Sequence, residues 1–123
     1  MKYLLLLVLI CNTANTAQAE NWITLASDQY NRDYDYDHDS ITHHDLEGKV
    51  LVVWHRQIQN RELLKISRTE FHCSSLSYRT VYSQRYQDGD MIFESTTPQA
   101  KWQYATPTSI ENMLENWLCK TYK

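Results

Sequence analysis

The chain has 123 residues, 22% of them charged, and a formal net charge of −3. That length is one small domain, and the acidic balance excludes the basic footprint of a nucleic-acid binder. With only two glycines and two prolines there is no low-complexity segment, and each glycine should mark a turn.

The first stretch reads as a targeting segment. Met1-Lys2 supply a positive start, Leu4 to Ile10 are wholly apolar, and Ala17-Gln18-Ala19 has the A-x-A form of a cleavage site. Residues 1–19 are therefore predicted to be a secretory signal peptide, and residues 20–123 a single domain exported to the periplasm or cell surface. The apolar run is too short to span a bilayer, so no transmembrane segment is expected after its removal. Cys11 follows Ile10, where lipid attachment favours a small residue, and reads as part of the discarded peptide.

Six strands are predicted in the folded part. They are Trp22 to Ser27, Tyr34 to His43, Val50 to Gln57, Leu64 to Cys73, Ser77 to Gln87 and Met91 to Ser95. Val50-Leu51-Val52-Val53-Trp54 is continuously apolar, which places that strand in the centre of a sheet, covered on both faces. Glu47-Gly48 and Asp88-Gly89 fall between strands. Both read as hairpin corners, because glycine accepts the positive φ of a tight turn.

The period then changes. Ile110, Met113, Leu114, Trp117 and Leu118 form one helical stripe. Thr108 and Glu111 have the spacing of a capping box, with Pro107 just outside. Strands followed by one helix predict an α+β domain: an antiparallel sheet of about six strands with a C-terminal helix packed on one face. Outside the leader only Cys73 and Cys119 occur, and two cysteines in a small exported domain are expected to pair.

Residues 31–45, NRDYDYDHDSITHHD, hold five aspartates and three histidines. A calcium loop beginning at Asp33 or Asp35 fails at its sixth and twelfth positions. Zinc would need ligands from a neighbouring strand, such as His55 or His72. The plainer reading is a polar edge strand, with Asp33, Asp35, Asp37 and Asp39 on one face and Tyr34, Tyr36 and His38 on the other. No metal and no cofactor are expected. Residues 20–48 carry eight acids and one base, whereas residues 49–87 carry seven bases and two acids. That asymmetry either steers a charged partner or is satisfied between neighbouring strands.

Tyr78, Tyr82 and Tyr86 are predicted on one face of their strand, with Arg79 and Arg85 on the other. Tyrosine and arginine are favoured at protein-recognition hot spots. Tyr34, Tyr36, Tyr78, Arg79, Tyr82 and Arg85 are therefore the candidate protein-binding residues. No phosphate loop, nucleophile elbow or metalloprotease motif is present, and the domain reads as non-catalytic.

The order of features carries a resemblance. Trp22 is followed by Tyr36-Asp37-His38-Asp39-Ser40-Ile41 and, after the Gly48 turn, by Val52-Val53-Trp54. Cys73, the Tyr86-to-Gly89 turn, Trp102, Pro107 and Cys119 come next. This order resembles the surface-adhesin protein E-like domains of Gram-negative bacteria, over essentially the whole of residues 20–123. The resemblance implies an antiparallel sheet with a packed helix, a Cys73–Cys119 bridge and binding to host extracellular-matrix or serum proteins without catalysis. The alternative from the residues is a periplasmic inhibitor or immunity protein that restrains a bacterial envelope-directed enzyme.

Overall fold

The apolar run beginning at Val50 opens the central strand. Strand β4 (Val50–Gln59) has Leu51 and Val53 on one side and Val52 and Trp54 on the other. In the computed structural model, which describes residues 20–44 and 49–122, it is flanked on both sides. The predicted leader with Cys11, and the Gly48 corner, lie outside the described residues.

The remaining strands are β1 (Trp22–Ser27), β2 (Arg32–Asp37), β3 (Thr42–His43), β5 (Glu62–His72), β6 (Ser77–Gln87), β7 (Asp90–Thr96) and β8 (Gln103–Tyr104). All pairings are antiparallel, in the order β1-β2-β4-β5-β6-β7, with β3 beside β4 and β8 beside β6. Asp88-Gly89 closes β6 onto β7 with φ of 52° and 85°, the positive pair that a two-residue primed turn requires. Asn60-Arg61 does the same between β4 and β5 without any glycine, at φ of 51° and 70°.

The predicted strand Tyr34–His43 is corrected in two ways. It is broken, because residues His38–Ser40 form one turn of 3₁₀ helix between β2 and β3. The Asp37 carboxylate causes the break: its Oδ1 accepts the backbone N–H groups of Asn21 and Asp39 and so competes with the sheet ladder. Nor is the strand at an edge. Strand β1 pairs along its outer side, from Trp22 opposite Asp37 to Ser27 opposite Asp33. The turn that folds β1 back is held by Asp28, whose side chain accepts from the N–H groups of Tyr30 and Arg32 and pairs with the Arg32 guanidinium at 2.7 Å.

Helix α1 (Ile110–Thr121) has its N-cap one residue later than predicted. Ser109 is the N-cap, accepting from the Asn112 N–H at 3.1 Å, so Thr108 and Glu111 do not form the expected box. A helix of this length is marginal alone. It is secured by Leu114 and Leu118, both buried against Leu51, Val53 and Phe71 of the sheet, and by Trp117, which stacks on Tyr36 at 4.8 Å. The Cys73–Cys119 disulfide joins the end of β5 to the last turn of the helix across a Cα separation of 5.5 Å.

A polar line runs beneath the helix on the same face. His55 Nε2 lies 2.7 Å from the Thr69 hydroxyl, which meets the Thr80 hydroxyl at 3.1 Å. Burial, aided by the charge of Lys65, pulls the His55 pKa from 6.5 down to about 4. The folded domain thus holds this imidazole neutral where the unfolded chain would protonate it.

Two outcomes follow from this packing. Leu118→Ala should cost about 2–5 kcal/mol, and loss of the disulfide by a Cys73→Ser and Cys119→Ser double variant a similar amount, both read from urea midpoints. The stability contributed by neutral His55 is complete above pH 6.5 and is lost as pH falls towards 4, by about 3 kcal/mol. Denaturant melts at pH 7.0 and pH 4.5 should therefore show a smaller acid loss in His55→Gln than in the wild type. An equal loss in both would mean that the ring is not held neutral.

Candidate functional site

The helix covers one face of the sheet, so the side chains that alternate with the core face the other way. On β4 these are Val52, Trp54 and Arg56, and on β5 they are Ile66, Arg68 and Glu70. Trp22 from β1 and Tyr82 from β6 complete a groove of about 700 Å³. Its long direction crosses the strands. Trp22 pairs with Asp37, which comes level with Trp54 one step beyond the Tyr36–His55 pair, and Trp54, Arg68 and Tyr82 are direct partners. Aromatic, acid, aromatic, base and aromatic thus stand in one row, each about 4.8 Å from the next.

A β-bulge makes this row possible. Arg68 pairs with Tyr82 and Thr69 with Thr80, so Val81 is an extra residue on β6. The bulge reverses the face of every side chain on one side of it. The prediction that Tyr78, Tyr82 and Tyr86 share a face opposite Arg79 and Arg85 is corrected accordingly. Tyr78 packs against the helix-side core near Phe71, whereas Tyr82 lies in the groove in edge contact with Trp54 at 5.6 Å. Arg79 is on the groove side, paired with Glu70, and Arg85 is opposite Lys65 on the helix side.

The other candidates separate similarly. Tyr34 is on the helix side, its hydroxyl donating to Asp28 at 3.2 Å. Tyr36 is only 4% exposed and belongs to the core. Of the six residues, Tyr82 alone lines the groove. Its hydroxyl donates a short hydrogen bond to Glu94, which also accepts from Gln84 at 3.2 Å. That bond raises the Tyr82 pKa and lowers that of Glu94.

Trp22, Trp54 and Arg68 were not among the predicted residues. Trp54 closes an apolar run, a position that signals core. Arg68 alternates with Ile66 and Glu70, a pattern that does signal an outward face, but the face it joins depends on pairings that only the sheet reveals.

The aspartates are largely satisfied internally. Asp33 accepts from the Ser27 hydroxyl at 2.6 Å, and Asp35 from Thr24 at 2.8 Å and from Arg56 Nε at 3.0 Å. The histidines are dispersed: His44 approaches Glu70 at 3.4 Å, and His72 accepts or donates at Ser74 and Ser75 beside Trp102. Among the described residues no group of three or more His, Cys, Asp or Glu side chains is arranged to hold a metal ion. No described helix is long and apolar enough to cross a membrane.

Comparison with known families places residues 22–120 in a match to the surface-adhesin protein E. No curated protein and no solved structure matches the chain.

The ion pairs on the groove face differ in what they support, and this is measurable. Arg56→Gln removes the partner of Asp35 and uncovers the Trp22 ring, over which the guanidinium lies at 4.2 Å. It should cost about 2 kcal/mol. Arg68→Gln breaks no ion pair among the described residues and should change stability by less than about 0.5 kcal/mol. Equal losses in the two variants would show that Arg68 has a structural partner.

Proposed function

The chain belongs to the surface-adhesin protein E family, and from that premise we propose that it is an exported binding protein that engages another protein from the host extracellular matrix or serum. The observation that carries this reading is the groove: Trp22, Trp54, Tyr82 and Arg68 are gathered on the face that the helix leaves uncovered. These residue types dominate protein-recognition hot spots, where large rings exclude water around a few oriented polar groups. Tyr82 is held in place by Glu94, and Trp22 by Glu20 and Arg56, so little side-chain freedom is lost on binding. The leader signature in residues 1–19 supports export, and the disulfide is of the kind that persists outside the cytosol. Aromatic rings held rigid by their neighbours suit recognition better than bond-making.

Display at the surface decides between this reading and a periplasmic inhibitor of an envelope enzyme. Intact cells treated with external protease should lose the domain, followed by antibody, while a periplasmic marker survives. Protection of the domain until the outer membrane is broken would overturn the host-binding reading and direct the search to bacterial envelope partners.

A further inference from the structure

Three arginines stand on the groove face, each beside a tryptophan. Arg56 lies over Trp22 and is paired with Asp35. Arg79 lies over Trp102 at 4.4 Å and is paired with Glu70 at 2.8 Å. Arg68 is the direct cross-strand partner of Trp54, but among the described residues it has no carboxylate and no hydrogen-bonded partner. It is half-buried, and it opens both onto the groove and onto an adjoining hollow of about 270 Å³ beside Val81 and Pro98. Two of three equivalent positions thus hold their acid within the chain, and the third meets none among the described residues.

A partly desolvated guanidinium with no anion is an unsatisfied charge, and its planar fork fits a carboxylate better than any other common protein group. The other end of the groove has the opposite sign. Asp39 and Glu20 line it, and neither meets a cation among the described residues. Asp37 marks that end of the row and Arg68 lies two strands away, about 10 Å, which an extended peptide in the polyproline II conformation covers in about three residues, with both ends on one side.

We propose that the groove receives an extended segment of the partner protein, with an Asp or Glu side chain on Arg68 between Trp54 and Tyr82. A Lys or Arg about three residues away meets Asp39 and Glu20. The mixture of signs favours a polypeptide over an acidic polysaccharide, which Asp39 and Glu20 would repel. This inference rests on the protein-binding reading above and names the chemistry of its site.

The test uses the full oxidised domain and immobilised synthetic hexapeptides. Each peptide carries one glutamate and one lysine at varied spacing on a leucine and tyrosine background, with glutamine-for-glutamate controls; hyaluronate serves as the acidic-sugar probe. The expected result is retention that is best when two residues separate lysine from glutamate. It should fall at least tenfold in Arg68→Gln, and equally for the glutamine peptides, with no further fall when both changes are combined. Arg68→Lys should be intermediate, because it keeps the charge and loses the fork, and matching urea midpoints will show that both variants are folded.

Undiminished retention by Arg68→Gln, indifference to charge spacing, absence of any retained peptide, or capture of hyaluronate in place of peptides would each overturn the proposal. Matrix and serum proteins held equally by wild type and Arg68→Gln would overturn this site while leaving protein binding intact. Failure of both to hold any such protein would remove the host-binding reading as well.

Discussion

The packing of helix α1 on the sheet is the interaction on which the rest depends. Leu114 and Leu118 are buried on Leu51, Val53 and Phe71, and they form the centre of the cluster that the rest of the core packs against. The helix is too short to persist unaided, and the disulfide at its last turn keeps it near its site even before the core is complete. Once the helix is seated, the sheet has a closed face and an open one. The open face then inherits every second side chain of the long strands. Recognition chemistry is concentrated there because the other half of each strand is already committed to holding the helix.

The acidic strand shows how a charge excess is accommodated within a sheet. Asp33, Asp35 and Asp37 point to one side, where unrelieved repulsion would oppose folding. Hydroxyls, backbone N–H groups and Arg56 absorb that charge. Two bases of the middle strands are spent in the same way, Arg56 on Asp35 and Arg79 on Glu70. The bipolar charge of the chain is thus relieved in part by cross-strand pairs. Of the charged residues that line the groove, Arg68, Glu20 and Asp39 stand outside that set and face a ligand.

Much of this fold could be read from local pattern. β1 and β6 have their predicted limits, Asp88-Gly89 turns the chain as its residue types require, and Cys73 meets Cys119. The stripe from Ile110 to Leu118 is helical. The failures share a cause. The interior position of β2 depends on where β1 pairs, and the Val81 bulge depends on the register of β6 against β5. Neither has a compositional mark: no glycine stands at Val81, and an Asp-rich strand looks the same inside a sheet as at its edge. The groove was hardest to see, because its row of side chains is assembled from five strands and adjoins nothing in sequence but Trp54 and its neighbours. The turn at Asn60-Arg61 has no glycine to mark it either, since Arg61 adopts a positive φ that only its hairpin partners explain.

The extra residue at Val81 also gives this surface a route to change. Sliding the later half of β6 by one residue, so that Val81 stood opposite Arg68, would restore the regular ladder and turn Ser83 and Arg85 towards the groove in place of Tyr82 and Gln84. The core beneath the helix would keep Phe71, Leu51 and Val53, since they lie on other strands. A change of register, with no substitution at all, would thus exchange an aromatic wall for a cationic one. The bulge acts as a hinge in evolutionary time, separating the part of β6 that the fold constrains from the part that selection can re-aim.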